Sequence, residues 1–493
     1  MTIAGHHAMN WLLTTMPLLG LIAMAMSLSH LIPLSVALLL DDGLAGTFGI
    51  SMGINLLAGF ATWAATRRFQ RELHIREGIL LVVFVWAGGS LFATVPLLLV
   101  IPGLSFTDAF FEAVSGLTAT GATVLSGLDR LPPSINVWRA ELQWLGGMGV
   151  IVLAVAILPM LGVGGRQLFR AELPGPMKDD HLTPRITETA KGLWIVYFAL
   201  TLACLVAYHL AGMSWLDALI HSFTTLALGG FSSHDASLGF FDSPAVEFVA
   251  ICFMLVAGIN FATHFTAWRE KSFGLYRRDP EARYFILVAG ASVIGVAAYL
   301  WATGFYPDLV SALRYTAFNA ISVGTTTGYS TTDYNGWPVF APLWILFLGT
   351  FLSSSGSTGG GIKMIRAVIL YRQVYREFRR LAHPNAITPL KIAGHVIPNQ
   401  IVFAVLAFFF IWVVILVSMT LILSLSGLDA MTAFSAVVAT LNNIGPGLHE
   451  VGPATTYALL TDFQTWVLAA AMLMGRLELF TFLIVFTPAF WRK

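Results

Sequence analysis

The sequence predicts an all-α polytopic membrane protein, with two N-terminal transmembrane helices followed by four repeats of helix, re-entrant loop and helix. Three observations support this fold: an apolar composition, ten long apolar stretches, and four similar loops that each reach a glycine. The 493 residues are 57% hydrophobic and 11% charged, whereas soluble domains carry roughly 25% charged residues. A bilayer accommodates this apolar surface.

Ten apolar stretches are long enough to cross a bilayer, for which a helix needs roughly 20 residues. The first two form an N-terminal extension, 1–70, and the first is too long and lacks the basic start of a cleaved signal peptide. The other eight pair into repeats over 71–165, 166–270, 271–375 and 376–493. The stretches are about 10–40, 46–66, 79–101, 138–162, 193–212, 244–267, 284–305, 338–370, 399–425 and 457–489.

Basic residues predict the orientation of the chain. Positively charged loops stay in the cytoplasm, so both termini are expected to be cytoplasmic. The opposite connections carry acids, which would concentrate cations at the outer face, although each acid is also explained as a solvated loop residue. The basic clusters are Arg67, Arg68, Arg71 and Arg76; Arg166, Arg170, Lys178, Arg185 and Lys191; Arg269, Lys271, Arg277, Arg278 and Arg283; Lys363, Arg366, Arg372, Arg376, Arg379, Arg380 and Lys391; and Arg492 and Lys493. The outer acids are Asp41, Asp42, Asp129, Asp235, Asp242, Asp333 and Glu450.

Four outer connections resemble one another. The segments 108–121 and 217–230 share the same spacing from aspartate to glycine, 318–328 matches their second half, and 429–445 needs a few extra residues. Their apolar parts are too short to span a bilayer and suit re-entrant segments. Irregular backbone at membrane depth survives only where it lines a cavity or is buried in protein. Four such units predict a pseudo-fourfold arrangement around one pore; ordinary loops capped at Asp108, Asp217 and Asp429 are the alternative.

Each glycine turn has the chemistry of an ion filter. Inward-pointing carbonyls can replace the hydration shell of a potassium ion, and glycine allows the required backbone angles. The hydroxyls of Thr118, Thr120, Thr325 and Thr327 are candidates to support these carbonyls or the ion. The second turn lacks such threonines and the fourth is the least filter-like, which could relax selectivity. The predicted filter residues are Ala119, Thr120, Gly121, Leu228, Gly229, Gly230, Thr326, Thr327, Gly328, Asn443, Ile444 and Gly445.

At these residues the sequence resembles the TrkH family of bacterial potassium uptake proteins, within the Trk/Ktr/HKT superfamily. The resemblance covers nearly the whole chain. It also includes Gln143-Trp-Leu-Gly-Gly-Met-Gly-Val-Ile-Val-Leu, Gly356-Ser-Thr-Gly-Gly-Gly-Ile-Lys363 and Met474-Gly-Arg-Leu-Glu478. It implies potassium uptake by a homodimer with a pore in each subunit, and a cytosolic TrkA-type ring that binds nucleotides and controls opening.

The Ser/Gly run 353–361 interrupts the second apolar stretch of repeat three. Glycine and serine hold a helix poorly, so a flexible gate beneath the filter is expected, as the resemblance also implies; a linker between two half-helices is the alternative. The run lacks the spacing of a phosphate-binding loop. The predicted gate residues are Ser355, Gly356, Ser357, Thr358, Gly359, Gly360, Gly361, Lys363 and Arg476.

Three charged residues are singled out within apolar surroundings. A charge such as Arg476 inside the membrane indicates function, and we expect it beneath the filter, lowering cation occupancy or holding the gate through carbonyls. Its alternative is a structural pair with a carboxylate of another helix. Glu112, at the position of His221 and Asn319 in the next repeats, is expected to brace the first filter. For Lys363, snorkelling to the membrane interface is the simpler explanation.

Gated, potassium-selective, channel-like conduction is the favoured function, and potassium/proton or potassium/sodium symport is the alternative. Symporters usually have inverted repeats and midplane binding sites, whereas these repeats enter from one side. The ion-translocating subunit of a pump is a further alternative. No HExxH motif or nucleophile–base set is evident, so neither an enzyme nor a cofactor is expected beyond potassium as the transported ion. The basic loop 363–391 is either a docking surface or a membrane-surface cluster; the resemblance favours docking. No nucleic-acid partner is expected.

Overall fold

The structure, a computed structural model, describes residues 3–69, 75–152 and 186–492. These parts are helical almost throughout, with one two-stranded antiparallel hairpin. The α-helices are α1 Ile3–Ser29, α2 Leu31–Leu40, α3 Ala45–Thr66, α4 Ile75–Val100, α5 Phe106–Leu117, α6 Pro133–Val152, α7 Ile186–Leu210, α8 Trp215–Ala227, α9 Pro244–Ala257, α10 Phe261–Glu270, α11 Gly274–Arg278, α12 Pro280–Ala302, α13 Leu309–Gly324, α14 Phe340–Gly349, α15 Met364–Ala382, α16 Asn399–Leu425, α17 Ala430–Leu441, α18 Asp462–Arg476, α19 Leu479–Leu483 and α20 Pro488–Trp491. The strands are β1 Lys391–Ile392 and β2 His395–Val396.

Helices long and apolar enough to span a membrane account for much of the fold. Six qualify in the described ranges, and two bent helix pairs raise the number to as many as eight. The predicted stretch 399–425 is α16, Asn399–Leu425, with the same bounds. The part of the predicted stretch 138–162 beyond Val152, the basic cluster from Arg166 to Arg185, Arg71, and the repeat boundaries at 70–71 and 165–166 lie outside the described residues.

Several predicted spans are broken, which corrects the sequence interpretation. The stretch 244–267 is two helices, α9 and α10, bent by 91°. The stretch 457–489 bends by 118° after α18, and 338–370 is interrupted between α14 and α15. Hydropathy reports the length of an apolar segment, but not a change of helix direction within it, so the two bends escaped detection, whereas the interruption of 338–370 was predicted from its Ser/Gly run and is confirmed.

The helices of the N-terminal extension pack on each other through small residues, and the extension contacts repeat one through aromatic residues. Gly20 and Gly59 face each other where α1 crosses α3, and a β-carbon on either would lie 2.7–2.8 Å from the other's carbonyl oxygen. Small residues let helix backbones approach closely in a bilayer. The His30 ring, between α1 and α2, lies 4.4 Å between centroids from that of buried Trp138 in α6, which ties the extension to the first repeat.

Four short helices, α5, α8, α13 and α17, are the re-entrant candidates, and their caps explain the repeat spacing. The N-caps are Ser105, Ser214, Asp308 and Asp429. The capping expectation for Asp108 and Asp217 is therefore wrong: each lies in the first helical turn and accepts a hydrogen bond from the capping serine. Measured from cap to turn glycine, repeats one, two and four have the same spacing (105 to 121, 214 to 230, 429 to 445), and α13 is about one helical turn longer.

Candidate functional site

The four glycine turns share one backbone conformation. In each turn the first and third residues have positive φ. The third is always glycine, which adopts this region without steric cost, and the first is a non-glycine residue held there by its surroundings. The pairs are Ala119 (50°) and Gly121 (85°), Leu228 (53°) and Gly230 (77°), Thr326 (64°) and Gly328 (84°), and Asn443 (53°) and Gly445 (100°). The second and fourth turns, which differ in sequence, therefore do not differ in backbone.

The four turns lie side by side in a closed ring of contacts. A β-carbon on Gly121 would overlap the carbonyl oxygen of Gly229. In the same way, a β-carbon on Gly230 would meet Thr327, one on Gly328 would meet Ile444, and one on Gly445 would meet Thr120. Each turn thus abuts the next, and the fourth abuts the first. The absence of a side chain at the third position is what allows backbones to come this close.

Side chains from the short helices hold the segment that follows each turn. Glu112 accepts hydrogen bonds from the hydroxyl of Thr123 (2.9 Å) and from the backbone N–H of Val124 (3.1 Å). At the same position, His221 Nε2 contacts Ser232 Oγ at 2.9 Å in repeat two. In repeat three, Asn319 exchanges two bonds with Thr331. Three different side chains therefore occupy one bracing position.

The Glu112 carboxylate is fully buried and forms an ion pair. Arg139 of α6 donates from Nε to Glu112 at 2.8 Å and from Nη1 to the carbonyl oxygen of Ser232 at 3.2 Å. Its guanidinium also lies 4.2 Å from the ring centroid of Phe231. A buried carboxylate needs such compensation, and the pair joins the outer segments of repeats one and two.

Other polar groups bind the turns directly. Gln143 of α6 donates to the Gly229 carbonyl (2.7 Å) and accepts from the Phe231 N–H (3.0 Å), so it spans Gly230. The Tyr457 hydroxyl donates to the Gly445 carbonyl at 2.8 Å. The Gly229 and Gly445 carbonyls are therefore engaged by protein donors, which leaves the other turn carbonyls as candidate ion ligands.

The threonines flanking the first and third turns bond within the protein. Thr118 Oγ1 lies 2.6 Å from Thr120 Oγ1, and Thr325 Oγ1 lies 2.8 Å from Thr327 Oγ1. Asn443 of the fourth turn donates to Thr120 Oγ1 at 2.8 Å. Of the two roles expected for these hydroxyls, this geometry favours support of the turn over direct contact with an ion.

The irregular segment 350–363 between α14 and α15, here called the buried loop, lies against the ring where the short helices end. Most of it is inaccessible to solvent. It touches repeat two through Thr358 Oγ1, which donates to the Leu226 carbonyl, and repeat three through Ser353 Oγ, which donates to the Thr325 carbonyl. A β-carbon on Gly360 would overlap the Asn442 carbonyl of repeat four. The buried loop is therefore more than a linker between two half-helices.

Arg476 completes the contact of the buried loop with repeat one. It is the last residue of α18, at the bend, and is buried. Its Nη1 donates to the Thr358 carbonyl (2.8 Å) and its Nη2 to the Gly146 carbonyl of α6 (3.0 Å). Its described polar partners are carbonyls, so the alternative of a carboxylate partner finds no support among the described residues.

Lys363 does not snorkel, which corrects the simpler expectation. Its side chain is buried and Nζ donates to the Gly359 carbonyl at 2.8 Å. The neighbouring Arg366, by contrast, reaches Glu478 just beyond the bend at Arg476, with 2.6 Å between Nη2 and Oε2. These bonds attach the inner end of the buried loop to itself and to repeat four.

Glu281 is a residue of the site that the sequence reasoning missed. It lies at the start of α12 with a fully buried side chain, and its Oε1 accepts from the N–H groups of Ser355 (2.7 Å) and Ile365 (3.0 Å). One carboxylate oxygen thus holds the buried loop at Ser355 and the first turn of α15 at Ile365, and Oε2 has no hydrogen-bond partner among the described residues. A glutamate near the start of an apolar stretch was the only available signal, and it is an ordinary helix-start feature.

A cluster of one histidine and two carboxylates joins repeats one and two near the first turn of α8. His234 contacts Asp129 through Nδ1 and Asp217 through Nε2 (3.2 Å), while Phe240 stacks on its ring. Burial lowers the pKa of His234, but the hydrogen bonds and charges of the two carboxylates outweigh it, so that the pKa lies above its ordinary value. Within the described ranges no three His, Cys, Asp or Glu side chains are grouped to hold a metal ion.

Comparison with known proteins agrees with this geometry. The family model TrkH, described as "Cation transport protein", matches residues 47–493. The chain is 47% identical to the Trk system potassium uptake protein TrkH of Halomonas elongata, over 97% of this chain and 98% of that protein, and 45% identical to TrkH of Escherichia coli K12 over the same shares. The crystal structure of the potassium transporter TrkH from Vibrio parahaemolyticus superposes with a TM-score of 0.90 at 43% identity, covering 98% of this chain and all of that one. The chain is therefore a multi-pass membrane protein of the TrkH family of cation transport proteins.

Proposed function

We propose that this protein takes up potassium across the bacterial inner membrane through a gated, potassium-selective, channel-like pore. The relatives named above are potassium uptake proteins, and potassium is proposed as the ion moved here. The observation that carries the mechanism is the closed ring of four glycine turns with one shared backbone conformation. We assign the ring as the filter of a pseudo-fourfold pore, with one turn from each repeat.

The ring can bind a cation without a carboxylate. The carbonyl-rich C-terminal ends of α5, α8, α13 and α17 lead into the turns, so their partial negative charges favour a cation there. Backbone carbonyls replace hydration water, as in other potassium filters. Bracing by Glu112, His221 and Asn319 holds the turns at fixed separation, which is the condition for discriminating between ions of different size.

The buried loop is proposed as the gate in its closed position. It contacts the end of a short helix or a turn in repeats two, three and four, and Arg476 joins it to repeat one. A guanidinium on the inner side of the ring also repels an arriving cation. Opening requires the Thr358 and Glu281 contacts to break, and the proposal assigns that step to the flexible Ser/Gly run.

Control of the gate is proposed to come from outside this chain. The relatives' names place them in a Trk system, in keeping with further components. We extend this to a homodimer and a cytosolic, nucleotide-binding, TrkA-type ring. The exposed arginines of α15 and the hairpin β1–β2 continue directly from the buried loop, so a partner that binds there acts on its inner end.

Flux in liposomes tests this function. The purified protein would be reconstituted with internal potassium or sodium, and rubidium or potassium entry measured under a voltage set by an ionophore, with and without a proton or sodium gradient. Potassium-preferring flux that follows voltage alone supports the channel. Flux that requires either gradient would replace it with symport. Equal sodium and potassium flux would contradict the filter assignment.

A further inference from the structure

A basic cavity lies where α12 and α15 leave the buried loop. It measures about 760 Å³, four arginines line it, and none of its described lining residues is acidic. Arg277 and Arg278 come from the end of α11, Arg283 from the first turn of α12, and Arg372 from α15. These arginines belong to two of the basic clusters from which the orientation of the chain was predicted. The cavity adjoins the proposed partner surface at Arg372, Ile392 and Ala393, whereas Arg277, Arg278 and Arg283 have no role in the proposed function.

Among the described residues, no carboxylate compensates the positive charge of this cavity. Arg277, Arg278 and Arg283 are exposed, and none of them forms an ion pair in the described parts of the chain. The two acids next to these arginines in the sequence form hydrogen bonds elsewhere. Asp279 caps α12 and accepts from Thr263, and Glu281 accepts from the buried loop. An anion could therefore bind here without displacing a carboxylate.

One arginine is already oriented by the protein. Arg372 Nη1 donates to the carbonyl oxygen of Lys391 in β1 at 2.7 Å, and Nη2 donates to the hydroxyl of Tyr284 at 3.2 Å. Guanidinium groups bind phosphate and carboxylate oxygens well because their donors form a planar fork that matches both. The cavity therefore has the chemistry of a phosphate or phosphodiester site.

The apolar residues that line part of the cavity favour a lipid over a soluble phosphate as its ligand. Ile286 and Leu287, one turn beyond the arginines on α12, are 47% and 67% exposed and also line the cavity. They lie within the candidate span Pro280–Ala302, so they face acyl chains where the helix enters the bilayer. A ligand with a phosphate and an acyl chain fills both parts, whereas a free phosphate uses only one. Basic pockets at helix ends bind anionic lipid headgroups in this way.

We propose that this cavity binds the headgroup of an anionic phospholipid, such as phosphatidylglycerol, in the leaflet at the gate side. The headgroup joins α12 to α15, the two helices that hold the buried loop through Glu281 and through Met364, the first residue of α15. Occupancy therefore stabilises the closed arrangement of that loop. This consequence rests on the proposed function, whereas lipid binding itself does not.

The test measures bound lipid rather than flux. Native mass spectrometry would count phosphatidylglycerol retained by the protein, against phosphatidylcholine, in the wild type and in the triple variant Arg277→Gln/Arg278→Gln/Arg283→Gln. Because each juxtamembrane arginine contributes about fivefold to the preference for anionic lipid, the triple variant is expected to lose most of it. Arg269→Gln/Arg379→Gln/Arg380→Gln removes the same charge outside the cavity and is expected to keep the preference.

Several outcomes overturn the proposal. If both triple variants lose the preference for anionic lipid equally, diffuse surface charge and not the cavity binds the lipid. If the cavity variant Arg277→Gln/Arg278→Gln/Arg283→Gln keeps the preference, the cavity is not a lipid site and an acidic protein partner becomes the better candidate. Competition by millimolar glycerol phosphate as effective as by lipid would indicate a soluble ligand. If the triple variant is poorly folded, the single variant Arg283→Gln, with an expected loss of about fivefold, decides the matter. Reduced binding with unchanged gating would retain the lipid site and reject only its coupling to the gate.

Discussion

The close packing of the ring has no room for a side chain at Gly121. Its φ of +85° strains any other residue, and a β-carbon there would overlap the Gly229 carbonyl. Gly121→Ala is therefore expected to displace a neighbouring turn and to reduce potassium selectivity over sodium at least tenfold in liposome flux. Gly103→Ala is the matched control, because Gly103 has a similar φ of +76° with no atom nearby. Equal effects of both variants would attribute the change to backbone strain alone.

Arg476 is the residue whose removal best tests the gate. Arg476→Ala deletes two hydrogen bonds to carbonyls and the positive charge beneath the ring. We expect basal rubidium uptake to rise several-fold in the absence of any partner, with potassium preference retained. Arg476→Lys keeps the charge but cannot reach both carbonyls, so its basal uptake is expected to lie between that of the wild type and that of Arg476→Ala. The control variant Arg380→Ala is expected to have the uptake of the wild type. Unchanged uptake in Arg476→Ala would reject the assigned role.

Glu281 binds the backbone of the buried loop at Ser355 and of α15 at Ile365. Glu281→Ala leaves two buried N–H groups without an acceptor, at a cost of about 1–3 kcal/mol for each, so a lower unfolding temperature and raised basal uptake are expected. Glu281→Gln keeps an acceptor oxygen of the same shape and is expected to stay near the wild type in both measurements. Glu377→Ala, on the exposed part of α15, is the control. If Glu281→Gln behaves like Glu281→Ala, charge rather than acceptance holds the loop.

At the scale of elements, connecting segments of neighbouring repeats form hydrogen bonds with each other and so help to fix how the repeats pack. The outer segments of repeats one and two exchange hydrogen bonds, since Asp235 accepts from Gly127 and Leu128 and its own N–H donates to Asp129. The His234 cluster lies at the same junction. Rigid short helices alone do not hold the ring, because their turns are also held from outside by these connections and from inside by the buried loop.

His234 makes this junction sensitive to pH. Because its pKa is raised above the ordinary 6.5 by Asp129 and Asp217, its contribution to stability is fully present below pH 6.5 and is lost as pH rises through the raised folded value. The pKa of Asp129 is lowered, so that carboxylate remains charged throughout this window. His221, with its ring centroid 6.4 Å away, and Asp235 complete the surroundings.

The expected measurement is the difference in unfolding temperature between the wild type and His234→Gln. This difference should be largest below pH 6.5 and should shrink above it. His383→Gln, a control outside the junction, is expected to show no such trend. A difference that grows with rising pH would contradict the assigned charge on His234.

At the scale of the whole molecule, orientation follows from charge distribution. The basic clusters at one side predict that the N-terminus, the 363–391 segment and the C-terminus are cytoplasmic. Reporter fusions active only in the cytoplasm are expected to be active at both termini and inactive when inserted at Gly43 or Gly127, which lie in open outer turns. Activity at an outer turn would invert the proposed direction of the filter and the gate.

The sequence by itself determined the apolar spans, the fourfold recurrence of a short helix and glycine turn, and the place of the break at 353–361. These features are local: a bilayer demands a continuous apolar length, and a left-handed turn demands glycine. The buried side chain of Arg476 was recognisable for the same reason, because a charge within an apolar segment stands out. The equal spacing of repeats one, two and four, by contrast, emerged only after the structure identified Ser105, Ser214 and Asp429 as the capping residues.

Only the tertiary structure decided which groups meet. The ring order of the turns, the pairing of Glu112 with Arg139, and the hold of Glu281 on residues 355 and 365 join positions 27 to 325 residues apart. No periodicity records such contacts, since each partner satisfies its local pattern equally well with or without the other. The bends after Ala257 and Arg476 also come from packing, because the apolar segment continues across them while the helix direction changes to admit the buried loop.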